Sequence, residues 1–275
     1  MPRAAVLGSP IEHSLSPVLH NAGYEAAGLA GWDYTRFETT AEGLPDLVET
    51  SDPDFVGFSV TMPGKFAALR LADSVSDRAQ LIGSANTLVR RADGWFADNT
   101  DTEGVRGALA ELLGDEPVGH ALLIGAGGTA RPALWALAER GVTNVMVLNR
   151  SDRSAELLPL AYELGLELSF AGFDKDLSAL SRAADVIVST VPAAALEDYV
   201  FDIAHAPVLD VIYDPWPTPL TTCAAANGHK TIGGHVMLAH QAFSQFEQFT
   251  GVAAPREEML EALNEELRRR SQTSY

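Results

Sequence analysis

The 275-residue chain has a single cysteine, Cys223. One thiol excludes an intramolecular disulfide and any metal site built from several cysteines, and it favours a reducing compartment. The sequence also lacks an uninterrupted run of about 18 apolar residues, which a membrane-spanning helix needs. Its first residues, MPRAAVLGSPIEHS, have too short an apolar stretch for a secretory signal. These absences predict a soluble, cytoplasmic protein with no membrane partner.

Positive charge is scarce as well. The chain has 19 Lys and Arg against 37 Asp and Glu, a net charge of −18. Such a chain repels the phosphate backbone of a nucleic acid and the surface of an anionic membrane. A small anionic ligand remains compatible, because a local pocket can oppose the overall sign. No cluster of His and Cys residues indicates a metal site.

Strand-like and helix-like segments alternate along most of the chain, and the alternation becomes regular from His120 onward. Parallel strands joined by right-handed helical crossovers are expected from this order, so we predict an α/β fold. Ser16 is predicted to be the N-cap of the first helix, and Asp93-Gly94 a hairpin turn. The last 40 or so residues predict two helices, over about 234–249 and 255–270.

A glycine-rich turn is the strongest binding motif. LLIGAGGTA, residues 122–130, is an apolar strand that runs into glycines and then opens a helix. Glycines let the backbone approach a pyrophosphate, while free N–H groups and the helix dipole face its charge. The turn begins a series of βαβ units, so it predicts a dinucleotide site. Its candidate residues are Gly125, Ala126, Gly127, Gly128, Thr129 and Ala130.

The segment after the next predicted strand, NRSDR, indicates which dinucleotide binds. An acidic residue at this point accepts hydrogen bonds from the ribose of NAD, whereas a cation accommodates the 2′-phosphate of NADP. Arg150 favours NADP; Asp152 favours the opposite choice, and an ordinary solvated arginine is the alternative interpretation. Thr190, at the end of VSTV, is expected to line the nicotinamide side.

Three polar motifs in the first hundred residues are candidates for substrate recognition. HSLSP offers the hydroxyls of Ser14 and Ser16 at a helix start, which suits a carboxylate. SANT and DNTD place polar side chains at the ends of strands, although such residues are also typical of turns. Lys65 follows a strand and the turn Pro63-Gly64, at the edge where α/β folds keep their chemistry.

These motifs together resemble the shikimate dehydrogenase family over nearly the whole chain. They are GSPIEHSLSP, SVTMPGK, GSANTL, DNTDTEG, GAGGTAR, NRS, YDPWPTPL and GGHVMLAHQAF, in that order. The resemblance implies an N-terminal α/β substrate domain (1–104) that faces a Rossmann-type, doubly wound NADP-binding domain (105–236) across a cleft. C-terminal helices (237–275) return to the substrate domain. It further implies reversible NADPH-dependent reduction of 3-dehydroshikimate to shikimate, on the route to chorismate and aromatic amino acids, by a monomer or homodimer.

The resemblance also assigns roles by position. It makes Lys65 and Asp101 the catalytic pair. It implies that the substrate is bound by Ser14, Ser16, Thr61, Lys65, Asn86, Asp101, Tyr213 and Gln241. Beyond the glycine turn, the cofactor residues it implies are Asn149, Arg150, Arg153, Val211, Gly234, Met237 and Asp77.

A lysine and an aspartate suit this reaction, because hydride arriving at a ketone carbon leaves negative charge on oxygen. An ammonium group stabilises that charge and donates the proton, and a nearby carboxylate orients the ammonium. Two departures from the family pattern stand out. Ser59 replaces a common Asn, and the segment before Arg153 is one residue shorter. The alternatives are an NAD-dependent quinate/shikimate dehydrogenase, a non-catalytic NADP sensor and a folate-type dehydrogenase.

Overall fold

The computed structural model describes residues 1–273, and these divide into two compact units. The first contains Met1–Thr100 together with the described chain from Gln241 onward, and the second contains Asp101–His240. The boundaries expected from the sequence, after residues 104 and 236, lie a few residues from these. Within residues 1–273, no helix is both long and apolar enough to cross a membrane.

The first unit is built on a mixed six-stranded sheet of order β2-β1-β3-β5-β6-β4. Its strands are β1 (Arg3–Gly8), β2 (Asp33–Glu38), β3 (Phe55–Val60), β4 (Ser74–Val75), β5 (Thr87–Arg91) and β6 (Gly94–Asp98). Its first four helices are α1 (Ser16–Ala26), α2 (Leu44–Glu49), α3 (Lys65–Leu71) and α4 (Asp77–Ile82). β1 and β3 are parallel, whereas β5 is antiparallel to β3 and to β6. The hairpin predicted at Asp93-Gly94 joins β5 to β6.

The second unit is a six-stranded parallel sheet of order β12-β11-β10-β7-β8-β9. Its strands are β7 (His120–Ile124), β8 (Asn144–Leu148), β9 (Glu167–Ala171), β10 (Val186–Ser189), β11 (Val208–Asp210) and β12 (Thr231–Gly233). Its helices are α5 (Asp101–Leu113), α6 (Ala130–Glu139), α7 (Ser154–Leu164), α8 (Leu177–Arg182), α9 (Val200–Ile203) and α10 (Pro219–Ala226). The strand order reverses between β7 and β10, as in doubly wound dinucleotide-binding folds, and the predicted fold class is confirmed.

Three short strands differ from expectation. β4 and β12 were not predicted, and β11 ends at Asp210 although an extended segment to residue 213 was expected. Each is two or three residues long, so none has enough alternation of apolar and polar side chains to be recognised. Their pairing partners in the sheet define them.

The C-terminal helices are α11 (Gly234–Thr250) and α12 (Arg256–Thr273), close to the predicted ranges. From Gln241 onward they belong to the first unit, which confirms their expected return. α12 packs on α1, where Met259 and Leu263 are fully buried. Gly23 of α1 allows this approach, because a Cβ there would lie 2.9 Å from the Met259 sulfur.

Candidate functional site

Several predicted substrate residues lie at one edge of the first unit's sheet. The carboxyl ends of β1, β3 and β6 and the amino end of β5 share this edge, because β5 runs antiparallel to β3 and β6. Ser14 and Ser16 follow β1, Thr61 and Lys65 follow β3, and Asn86 immediately precedes β5. The topology therefore brings together HSLSP, TMPGK and SANT, which are far apart in sequence.

The HSLSP segment corrects one prediction. Ser16 is not the N-cap but the first residue of α1, and Leu15 occupies the cap position without a side-chain cap. The Ser14 hydroxyl accepts a hydrogen bond from the Ser16 backbone N–H at 3.3 Å. Ser14 is half-buried and Ser16 is buried. The Ser16 hydroxyl is therefore not engaged in capping α1.

Lys65 begins α3 on a well-anchored backbone. Its carbonyl accepts a hydrogen bond from the Ala85 N–H at 3.0 Å, which ties the lysine to the SANT segment. Before it, Gly64 packs so closely that an added Cβ would lie 2.6 Å from a Leu44 methyl carbon. The Thr61 N–H bonds the Leu7 carbonyl at 2.8 Å. The half-buried Lys65 side chain thus starts from a backbone fixed on both sides.

Asn86 is buried and its carboxamide is strongly held. Its Oδ1 accepts hydrogen bonds from the Thr87 hydroxyl at 2.8 Å, the Thr100 N–H at 2.7 Å and the Thr100 hydroxyl at 3.1 Å. Its Nδ2 donates to Gln241 Oε1 at 3.4 Å. Asn86 and Gln241, both predicted to bind ring hydroxyls of the substrate, are therefore in contact.

The DNTD segment is held by buried polar contacts. Burial alone would raise the pKa of Asp98, but hydrogen bonds and charge from Arg78, with Ser76 and Gln248, hold it below its usual value. The Arg78 guanidinium lies 2.5 Å from Asp98 Oδ2. Asn99 donates to the Ser84 carbonyl at 2.9 Å. These contacts hold the DNTD segment within the first unit up to Thr100, and the buried Asp101 is the first residue of α5 in the second unit.

Lys65 lies in the first unit and Asp101 in the second. Asp77, another predicted site residue, is exposed in the first turn of α4 in the first unit. It lies beside Arg78, whose bond to Asp98 the sequence did not suggest.

The glycine turn has the features that a pyrophosphate requires. Gly125 has φ of +99°, and a Cβ there would lie 2.6 Å from Thr190 Oγ1, so only glycine fits. Gly127 and Gly128 are exposed, with no atom within 4 Å of an added Cβ. Their backbone is therefore open to a ligand at the start of α6. The remaining residues of the predicted cradle, Ala126, Thr129 and Ala130, complete the link from β7 to α6.

The segment predicted to bind the 2′-phosphate surrounds the start of α7. Asn149 donates to the Ser151 carbonyl at 2.8 Å, and Arg150 is exposed. Arg153 is paired with Glu156 at 2.6 Å. Arg131, which the sequence did not single out, donates to the Glu156 carbonyl at 3.1 Å. Its position directly after the glycine turn was the available signal.

The predicted nicotinamide side lies at the ends of β10 and β11. The Thr190 hydroxyl donates to the Ile124 carbonyl at 2.8 Å, which fixes Thr190 against the glycine turn. Gly234 packs on the Val211 carbonyl, since an added Cβ would lie 1.9 Å from that oxygen. Met237 is buried on α11, one turn further on.

Asp210, a residue that the sequence did not suggest, anchors the loop that carries Tyr213. Its carboxylate accepts from the Thr218 hydroxyl at 2.8 Å and the Ile212 N–H at 3.2 Å. Burial raises the pKa of Asp210. Tyr213 itself is half-buried. Among residues 1–273, no group of three His, Cys, Asp or Glu side chains is placed to hold a metal ion.

The chain matches three family models. They are the shikimate dehydrogenase substrate binding domain over residues 6–88, shikimate / quinate 5-dehydrogenase over residues 110–202, and the shikimate 5′-dehydrogenase C-terminal domain over residues 234–263. Among curated proteins, it is 37% identical to the shikimate dehydrogenase (NADP(+)) of Bartonella tribocorum, over 96% of both chains. It also matches pentafunctional AROM polypeptides of Saccharomyces cerevisiae, of whose length it spans 18%.

Solved structures give the same result. Mycobacterium tuberculosis shikimate dehydrogenase is 51% identical, with a TM-score of 0.91, over 96% of this chain and 100% of the other. The Thermus thermophilus shikimate 5-dehydrogenase in complex with NADP(H) and shikimate is 33% identical, with a TM-score of 0.81, over 96% and 99% of the two chains.

Proposed function

The chain belongs to the shikimate dehydrogenase family, and from this premise we propose that it catalyses the reversible NADPH-dependent reduction of 3-dehydroshikimate to shikimate. This oxidoreductase activity places it on the route to chorismate and the aromatic amino acids. Lys65 and Asp101 act as the catalytic pair.

The observation that carries the proposal is the convergence at one sheet edge of the first unit. Hydroxyl groups from HSLSP, the lysine after the Pro63-Gly64 turn and the carboxamides of Asn86 and Gln241 come from four separate segments. A polyhydroxylated ring with a carboxylate needs this combination of donors and acceptors.

Lys65 performs the acid-base chemistry in this proposal. The bound nicotinamide supplies the hydride. As charge develops on the substrate oxygen, the Lys65 ammonium donates a hydrogen bond to it and then transfers the proton from Nζ. Asp101 orients the lysine and accepts a hydrogen bond from a substrate hydroxyl. In the reverse direction neutral Lys65 accepts the proton.

The substrate carboxylate binds the hydroxyls of Ser14 and Ser16, with Tyr213 as a further donor. Thr61, Asn86 and Gln241 bind the ring hydroxyls. Asn86 suits this role because three donors occupy its oxygen, so the amide nitrogen, which already donates to Gln241, is the group that can donate to a hydroxyl oxygen.

The second unit fits NADP. The open backbone at Gly127 and Gly128 receives the pyrophosphate, and the exposed guanidinium of Arg150 receives the 2′-phosphate. Asn149 and Arg153 border the phosphate, and Arg153 must give up its ion pair with Glu156 to bind it. Thr190, Val211, Gly234 and Met237 border the nicotinamide, and Asp77 has a minor cofactor-side role.

An NAD-dependent enzyme active on quinate is the second candidate, because one matched family model covers both substrates. Initial rates with shikimate and quinate, each with NADP⁺ and NAD⁺, separate the two. We expect the highest kcat/KM for shikimate with NADP⁺. A higher kcat/KM for quinate with NAD⁺ would favour the second candidate. NADPH binding without turnover of either substrate would instead indicate a sensor.

A further inference from the structure

A directed chain of hydrogen bonds runs through the buried part of the first unit and ends on Asn86. The Tyr34 hydroxyl donates to Ser59 Oγ at 2.6 Å, and Ser59 donates to Gln245 Oε1 at 2.7 Å. Gln245 Nε2 then donates to Thr87 Oγ1 at 3.0 Å, and Thr87 donates to Asn86 Oδ1 at 2.8 Å. All five side chains are buried.

The direction of the chain is determined by its two ends. Burial raises the pKa of the Tyr34 phenol, so the group stays protonated, and its hydroxyl is placed to donate to Ser59 Oγ. The ring is fixed by His20, which stacks on it with centroids 4.2 Å apart. Burial lowers the pKa of His20 to about 3, so the stack is between neutral rings. At the other end, the Thr100 N–H can only donate, and it faces Asn86 Oδ1.

Gln245 determines what Thr87 does. A threonine hydroxyl can donate or accept, so Thr87 alone would tolerate either orientation of the Asn86 carboxamide. Because Gln245 donates to Thr87, the threonine proton is left for another acceptor, and Asn86 Oδ1 at 2.8 Å is nearer than Thr100 Oγ1 at 3.2 Å, whose own proton is placed to go to Asn86 Oδ1. Gln245 also donates to the Asn86 backbone carbonyl at 3.1 Å. Donors that converge on a carboxamide oxygen polarise the group and strengthen its N–H donors.

We propose that Gln245 and Thr87 are positioning residues that orient and polarise the Asn86 carboxamide, so that its Nδ2 donates to a substrate ring hydroxyl. This inference rests on the proposed function, since it concerns recognition of the same substrate. It gives Ser59 a role, because Ser59 connects Tyr34 to Gln245. Gln245 of α11 thus determines the direction of the hydrogen bond between Thr87 and Asn86, at the start of β5.

Thr87 offers a matched pair of test variants. Thr87→Val keeps the shape but removes the hydroxyl, whereas Thr87→Ser keeps the hydroxyl and removes a methyl group. We expect Thr87→Val to raise KM and Kd for shikimate about tenfold, as for one lost hydrogen bond to a polarised group, with kcat and KM for NADP⁺ little changed. Thr87→Ser should stay near wild type. If both variants weaken shikimate binding equally, or neither does, the inference is wrong.

Shikimate analogues that each lack one ring hydroxyl add a second readout. For the analogue without the hydroxyl that Asn86 binds, Thr87→Val should no longer raise Kd, because the Asn86 amide has no hydroxyl to bind in either protein. If Thr87→Val raises Kd by the same factor for every analogue, the inference is contradicted. If Thr87→Val fails to fold, Gln245→Met, which keeps the side-chain length, replaces it and should give the same pattern.

Calorimetric titration with shikimate distinguishes this inference from the proposed function. If the wild type binds shikimate without oxidising it, the catalytic proposal fails while the Kd comparison still tests the positioning residues. If the wild type neither binds nor oxidises shikimate, both proposals fall.

Discussion

At the scale of single residues, the candidate site combines charges that are held in place with charges that are exposed. Asp98 is buried against Arg78, which keeps its carboxylate ionised at neutral pH and secures the DNTD segment. Arg150, by contrast, is exposed at the end of β8. The first kind of charge shapes the site, and the second is available to a ligand. Cofactor choice should therefore depend on the exposed arginine.

Arg150→Ala should raise KM for NADPH far more than KM for NADH, because only NADPH carries the 2′-phosphate. Loss of a charged hydrogen bond predicts a change of about 10-fold or more for NADPH. Steady-state kinetics with both cofactors measure it. Arg91→Ala is a control, since Arg91 stacks on Phe96 in the first unit. Equal effects of Arg150→Ala on the two cofactors would remove Arg150 from the phosphate site.

At the scale of elements, the end of a strand and the turn after it were readable wherever glycine or proline marked the turn. The glycine turn between β7 and α6 and the Asp93-Gly94 hairpin are of this kind. β4 and β12 were missed because tertiary pairing, and no local pattern, defines such short strands. Of the glutamines on α11, the sequence indicated only Gln241. Gln245 and Gln248, further along the same helical face, also reach the SANT and DNTD segments, at Thr87 and Asp98.

Helical spacing could have revealed these glutamines, because positions i, i+4 and i+7 share one face. Their partners could not be predicted, since β5 and α11 are more than a hundred residues apart. The role of Ser59 was likewise unpredictable, because it depends on Tyr34 and Gln245, which the fold brings to it.

Gly125→Ala should damage both folding and cofactor binding, because its positive φ and its contact with Thr190 leave no room for a methyl group. We expect a loss of about 1–3 kcal/mol in the free energy of unfolding, together with weaker NADPH binding. Denaturant unfolding and fluorescence titration with NADPH measure the two effects.

Gly127→Ala is the matched control for this change, since an added Cβ there meets nothing within 4 Å. Its stability should stay within about 0.5 kcal/mol of wild type. Its NADPH affinity should fall if the pyrophosphate rests on this backbone. Unchanged NADPH affinity in both variants would show that the turn is not the cofactor site.

At the scale of the whole molecule, each unit has its own sheet and its own apolar core. The chain enters the second unit at Asp101 and returns to the first at Gln241. The glutamines that contact the SANT and DNTD segments therefore come from α11, far along the chain from the strands that flank those segments. Integrity of the first unit should depend on how well α12 packs against α1.

Met259→Ala should lower the stability of the first unit by about 2–4 kcal/mol, because it removes a fully buried side chain between α12 and α1. Hydrogen exchange should show faster opening of β1 and β3, with β7 and β8 unaffected. Glu261→Ala, an exposed change on the same helix, should have little effect. Equal loss of protection in both sheets would contradict the claim that Met259 stabilises the first unit alone.

Turnover by Lys65→Ala tests the central claim most directly. Loss of a positioned acid-base group should lower kcat for shikimate oxidation by about 10²–10⁴, with a weaker change in KM and unchanged NADPH affinity. Lys175→Ala, a surface lysine paired with Asp174, provides the control and should turn over normally. Near-normal kcat in Lys65→Ala would contradict the account.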